Sequence, residues 1–129
     1  MYRMSRSMTI KLLNRSAFVV RPRQPLADWA ARVAPQEETD LETLRREGTV
    51  YLIDEVEQES SFAEVLENGW RPVFENELAA WDEFGDHWPT PLSRALFEQW
   101  FELEPQILAF DLSAQPLLRA ALDSVEPES

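Results

Sequence analysis

The chain has 129 residues, 12 basic and 24 acidic side chains, a formal charge of −12 and 44% apolar residues. That length fits one domain and, with roughly two-thirds of the extended surface buried on folding, a core that needs no covalent staples. The absence of cysteine excludes disulfides, thiolate catalysis and cysteine-ligated zinc or iron–sulfur centres, and the three glycines lie too far apart to form a phosphate-cradling loop.

Methionines at positions 1, 4 and 8 bracket two arginines, so residues 1–8 are read as a disordered extension with translation starting at Met8. Residues 9–125 are read as a single α+β domain and 126–129 as a frayed tail. No apolar run is long enough for a membrane span or a signal-peptide core, and the expectation is a soluble, cytoplasmic protein with no membrane contact.

Ser16 to Pro22 has the β-branched and aromatic character of a strand. Pro25 then opens a helix in which Leu26, Trp29, Ala30 and Val33 form one stripe, with Arg32 in the last turn and Pro35 beyond its end. Gln36 to Gly48 is acidic with two leucine anchors and predicts a short surface helix. Thr49 to Ile53 reads as a second strand, buried on both faces because its apolar residues do not alternate.

Ser60 or Ser61 is placed to cap the next helix, with Glu64 completing a capping box. The apolar stripe runs from Phe62 through Val65, Leu66 and Trp70 to Val73, Phe74, Leu78, Trp81 and Phe84, interrupted at Asn68-Gly69 and Pro72. This predicts one kinked helix or two short ones, closed by Gly85 and followed by the loop Gly85 to Thr90. Thr90 and Pro91 open a widely apolar helix ending at Pro105. Gln106 to Leu112 reads as a third strand and Pro116 to Val125 as a final amphipathic helix.

The expected fold is α+β: a short sheet of about three strands with helices packed against it, in the order β-α-(α)-β-α-α-β-α. The long connection between the first two strands permits a parallel pair, and a sheet this small has edges that a homodimer would cover.

Charge is divided unevenly. Residues 1–35 hold seven bases against Asp28, giving +6, and the remainder holds five bases against 23 acids, giving −18. Such a split reflects either a partner-facing surface or a basic first segment packed beside acidic later ones.

On a helical wheel Glu77 falls between Trp81 and Phe84, inside the apolar arc. A carboxylate there must find a partner or be held neutral, and in a pocket it is a candidate general acid or base. His87, in the loop beside Asp86 and Trp88, is the second catalytic candidate. Glu75, Asp82 and Asp86 align in one column with Arg71 and are the candidate ligands for a hard cation, although a solvated acidic face is the ordinary outcome of that spacing. Four of the five tryptophans lie on apolar helix stripes, and Trp88 is the one expected to be available to a partner. No cofactor is implied, and the acidic bulk disfavours direct nucleic-acid binding.

The strings VYLIDE (50–55), FENELAAW (74–81), HWP (87–89) and FEQWFE (97–102) resemble those of a group of small acidic bacterial proteins that are uncharacterised. The resemblance spans roughly residues 10–112. It implies a bacterial, cytosolic protein and carries over no activity or site. The first functional reading is a non-catalytic interaction or regulatory protein acting through its acidic surface on an unknown protein partner. The alternatives are an enzyme or small-ligand binder centred on Glu77 and His87, and an acidic mimic of DNA.

Overall fold

The structure, a computed structural model, describes residues 9–122. The expected N-terminal extension, frayed tail and end of the last predicted helix lie outside these residues. The described chain falls into two compact units, a body spanning 14–109 and a smaller unit of 9–13 with 110–122.

In the smaller unit, strand β1 (Lys11–Leu12) pairs antiparallel with β5 (Phe110–Asp111), Leu12 opposite Phe110. Pro116 to Leu122 is not helical, contrary to the amphipathic pattern. Leu117, Leu118 and Leu122 are exposed, and an isolated stretch this short gains too little from its own hydrogen bonds to hold a helix without a buried face.

The body is a small α+β domain with a three-stranded antiparallel sheet in the order β3-β2-β4. The central strand is β2 (Arg15–Pro22), and β3 (Thr49–Asp54) and β4 (Phe101–Gln106) flank it. Val19 lies opposite Val50 on one side and Glu104 on the other. The first two strands are therefore antiparallel, and the crossover that the long connection permitted is not used.

Two expectations for the strands are corrected. β3 is buried on alternate residues: Tyr51 and Ile53 pack against the core, while Val50 and Leu52 are 59% and 50% exposed. An unbroken apolar run hid a one-sided strand, because the outward positions carry apolar residues too. The third strand lies earlier than Gln106 to Leu112. Phe-Glu-Leu-Glu at 101–104 alternates with period two, and its Pro105 is tolerated because β4 is an edge strand.

Helix α1 (Gln24–Val33) carries Pro25 in its first turn and buries Leu26, Ala27, Trp29 and Ala30. Helix α2 (Leu41–Arg46) is shorter than predicted, and the Asp40 side chain caps it by accepting from the Thr43 N–H at 3.2 Å. Helix α3 (Phe62–Ala79) runs continuously through Pro72. A short 3₁₀ turn (Glu59–Ser61) precedes it, so neither serine makes the expected cap hydrogen bond.

α3 ends before Trp81, where the Trp81 and Asp82 N–H groups both donate to the Leu78 carbonyl at 3.0 Å. Phe84, expected on the apolar stripe, consequently lies in a turn and is 83% exposed. Gly85 supplies the positive φ of +80° that closes this turn, with the Trp88 ring 3.5 Å from where a Cβ would stand. Helix α4 (Arg94–Trp100) starts three residues later than predicted and is capped by Ser93, whose hydroxyl accepts from the Leu96 N–H at 3.0 Å.

The core lies between the helices and one face of the sheet. Phe74 of α3 is fully buried, with its ring 5.4 Å from Phe97, 5.9 Å from Trp100 and 5.8 Å from Phe101. Tilted and edge-on aromatic contacts of this kind stabilise beyond the area they bury. Buried Ser16 is satisfied on both counts, donating to the Ile107 carbonyl at 2.8 Å and accepting from the Val56 N–H at 2.9 Å.

Part of the charge division is internal. Arg21, from the basic first segment, pairs with Glu104 across the β2–β4 ladder, and Arg45 of α2 pairs with Glu102. The Arg45 guanidinium holds the Glu102 carboxyl below its ordinary range. Among the described residues, no helix is long and apolar enough to cross a membrane.

Candidate functional site

A cavity of about 340 Å³ opens where the end of β2, α1, α2 and the last turn of α3 converge at the start of β3. Val20, Leu26 and Leu44 lie against it from the buried core, and the half-buried Trp81 also lines it. The turn from α2 into β3 reaches the cavity through Gly48. A Cβ there would stand 3.0 Å from the Val20 carbonyl oxygen, a tight contact that would push the turn a few tenths of an ångström from the sheet.

Glu77 lines this cavity, as its position on the apolar arc suggested. Its carboxylate Oε2 accepts a hydrogen bond from the Tyr51 hydroxyl at 2.5 Å, and the Tyr51 oxygen in turn accepts from Asn76 Nδ2 at 2.9 Å. The β3 register places Tyr51 on the inward face of the sheet, stacked on Phe18 with centroids 5.7 Å apart. Asn76 and Glu77 meet it from adjacent positions on α3.

Burial raises the Glu77 carboxyl above its ordinary pKa, opposed by the hydrogen bond from Tyr51 and by Thr49. Burial and the neighbouring carboxylate likewise raise the Tyr51 hydroxyl, which therefore remains a proton donor to Glu77. Glu77 has two carboxylate oxygens with more acceptor capacity than Tyr51 uses. Glu37 and Glu47 also line the cavity, both exposed at its rim, so among the described lining residues every carboxyl or basic side chain is a carboxylate; the Arg45 guanidinium lies just outside, donating to the carbonyl of lining Pro22 at 3.0 Å. The arrangement can hold a positive charge beside an apolar surface, or take up a proton on Glu77.

Phe84 is not beside Glu77, because α3 ends before it. His87 does not line the cavity either. Its imidazole is 69% exposed, with Nδ1 3.5 Å from Asp82 Oδ2 rather than bonded to Asp86. Its backbone is the anchored part: the N–H donates to Asp82 at 2.6 Å, and the carbonyl accepts from the Trp29 indole at 2.9 Å. The two catalytic candidates are thus held in different places.

The acidic column does not form, since it required a helix running to Asp86. Glu75 pairs with Arg71 at 3.6 Å, and Asp82 holds the His87 loop. Among the described residues, no group of three histidine, aspartate or glutamate side chains is placed to hold a metal ion. Trp88 is half-buried against the core, and its indole N–H donates to the Asp82 carbonyl at 2.9 Å. The loop around it is stitched down by tryptophan donors at Trp29 and Trp88.

The sequence singled out Glu77 among the residues of this cluster, but not Tyr51, Thr49, Asn76, Glu37 or Glu47. Alternation of Thr49, Tyr51 and Ile53 was the available signal for the first two, and the apolar residues between them concealed it. No protein-family model matches the sequence, and neither a curated protein nor a solved structure matches it.

Proposed function

We propose that this protein is a binding module for a small organic molecule, held in the Glu77 cavity. The observation that carries the proposal is a concave site of about 340 Å³, within the size range of small-molecule pockets, that brings the part-buried Glu77 carboxylate and Trp81 into one lining. A single carboxylate restrained by a tyrosine, with His87 held elsewhere, supports recognition rather than a two-group acid–base mechanism. The resemblance to small acidic bacterial proteins adds a bacterial, cytosolic setting to this proposal.

The test is an NMR titration of the ¹⁵N-labelled protein with a library of small fragments. The expected result is that binders shift the amides of Ala34, Gly48, Thr49 and Ala80 together. Binders that shift only other regions, or no binders at all, would overturn the proposal.

A second reading, association with another copy of the chain, is favoured by a separate observation. Val50 and Leu52 project from the outer face of β3, an edge strand without proline and with one charge, Asp54. Edge strands of this kind are usually blunted or covered. This homodimer is the form in which the interaction reading is retained; an acidic mimic of DNA has no comparable support.

A further inference from the structure

We infer that the ligand of the Glu77 cavity is an organic cation, a primary ammonium group carried on a short apolar body. This rests on the proposal that the cavity binds a small molecule, and it assigns the chemistry of that molecule.

The charge of the lining decides the class. Glu77 on the wall and Glu37 and Glu47 at the rim are the ionisable groups, with no lysine, arginine or histidine among the lining residues. An anionic ligand would meet three carboxylates with no counter-charge in the lining, the nearby Arg45 being paired with Glu102, and the chain as a whole carries −12. That field draws cations toward the opening and repels anions. A neutral ligand would leave the Glu77 carboxylate desolvated with only the Tyr51 and Thr49 side chains to offset it.

The geometry provides for both ends of the proposed ligand. An ammonium has three donors, and Glu77 retains acceptor capacity after accepting from Tyr51. Tyr51 keeps that carboxylate in place through a hydrogen bond on the side of the strand, and Asn76 holds the tyrosine. Trp81 and Ala80 line the same cavity and flank the apolar body, with Val20, Leu26 and Leu44 buried beneath. The Gln36 and Thr49 side chains complete the polar edge.

The experiment compares three probes of one shape, 2-phenylethylammonium, 2-phenylethanol and phenylacetate, by NMR titration at low salt. The ammonium is expected to shift the cavity amides and to bind at least about tenfold more tightly than the alcohol, the scale of one charge-assisted hydrogen bond, with phenylacetate weaker still. Glu77→Gln is expected to cut the ammonium-over-alcohol preference by at least about threefold without abolishing alcohol binding. Should Glu77→Gln fail to fold, the Glu37→Gln/Glu47→Gln variant, altered only at exposed rim positions, is expected to lower the preference at low salt and not at high salt.

Equal binding of ammonium and alcohol at the cavity amides, or a preference for phenylacetate, would overturn the cation assignment while leaving the pocket intact. Absence of binding by all three probes and by every library fragment would remove the pocket reading itself.

Discussion

Replacing Tyr51 with phenylalanine removes one oxygen atom from the centre of the site and leaves the ring to stack on Phe18. The hydroxyl donates to Glu77 at 2.5 Å and accepts from Asn76 at 2.9 Å. A net hydrogen bond to a charged partner contributes about 1.5–3 kcal/mol, and the partly solvated position of this pair reduces that to about 1–2 kcal/mol. For a chain of this size the cost corresponds to a fall in Tm of about 3–10 °C. The loss depends on the charge of Glu77. At about pH 8 the carboxylate is the acceptor and the full cost is expected, whereas at about pH 4 it is protonated and the cost falls to about half. Differential scanning calorimetry of both proteins at the two pH values reads the effect, and Glu77→Gln completes a double-mutant cycle with an expected coupling of about 0.5–1 kcal/mol. An equal Tm for Tyr51→Phe and the parent at both pH values, or strictly additive effects, would refute the Tyr51–Glu77 interaction.

Glu77 has a folded-state pKa above the unfolded value, so its contribution to stability is fully present below about pH 4.5 and is lost as pH rises through the raised value. Glu77→Gln, which resembles the protonated side chain, is expected to flatten stability against pH in that window and to match or exceed the parent at about pH 8; a variant that is less stable there, with an unchanged pH profile, would contradict the desolvation of this carboxylate. Placing lysine at both Val50 and Leu52 is expected to leave the fold intact and to convert any dimer seen by sedimentation equilibrium to monomer, because two desolvated charges would face each other across the interface. A parent that sediments as a monomer at high micromolar concentration, or a dimer indifferent to both lysines, would end the association reading.

How much of this was legible in the sequence depended on whether one period dominated each segment. Leu26, Trp29, Ala30 and Val33 follow a single helical spacing next to a proline, and α1 lies where they place it. Phe97 to Glu104 satisfies two periods at once: Phe97, Trp100 and Phe101 continue the helical stripe, while Phe101, Glu102, Leu103 and Glu104 alternate. The strand period prevails after Trp100 because β2 offers a ladder from Pro22 to Ala17, and the same shift displaced the predicted third strand. The end of α3 was illegible for a different reason. Trp81 and Phe84 continue its stripe, but the Leu78 carbonyl is taken by two successive N–H groups and the chain turns away.

Glu77 stood out because a carboxylate on an apolar arc requires an explanation. Its partner did not, since Tyr51 lies in a segment whose apolar residues made both faces look buried. The rim carboxylates Glu37 and Glu47 were indistinguishable from other surface acids until the turn after α1 and the end of α2 brought them to the cavity. The division of charge was visible from the start. Its internal component became clear only when the ladder set Arg21 opposite Glu102 and within reach of Glu104.

The binding of an organic cation by the Glu77 cavity is tested most directly by a crystal structure of the protein soaked with 2-phenylethylammonium. The expected density places the ammonium nitrogen within hydrogen-bond distance of the Glu77 carboxylate, with the phenyl ring beside Trp81 and Ala80. A saturating soak that leaves the cavity without the probe, or seats the ammonium away from Glu77, would contradict it.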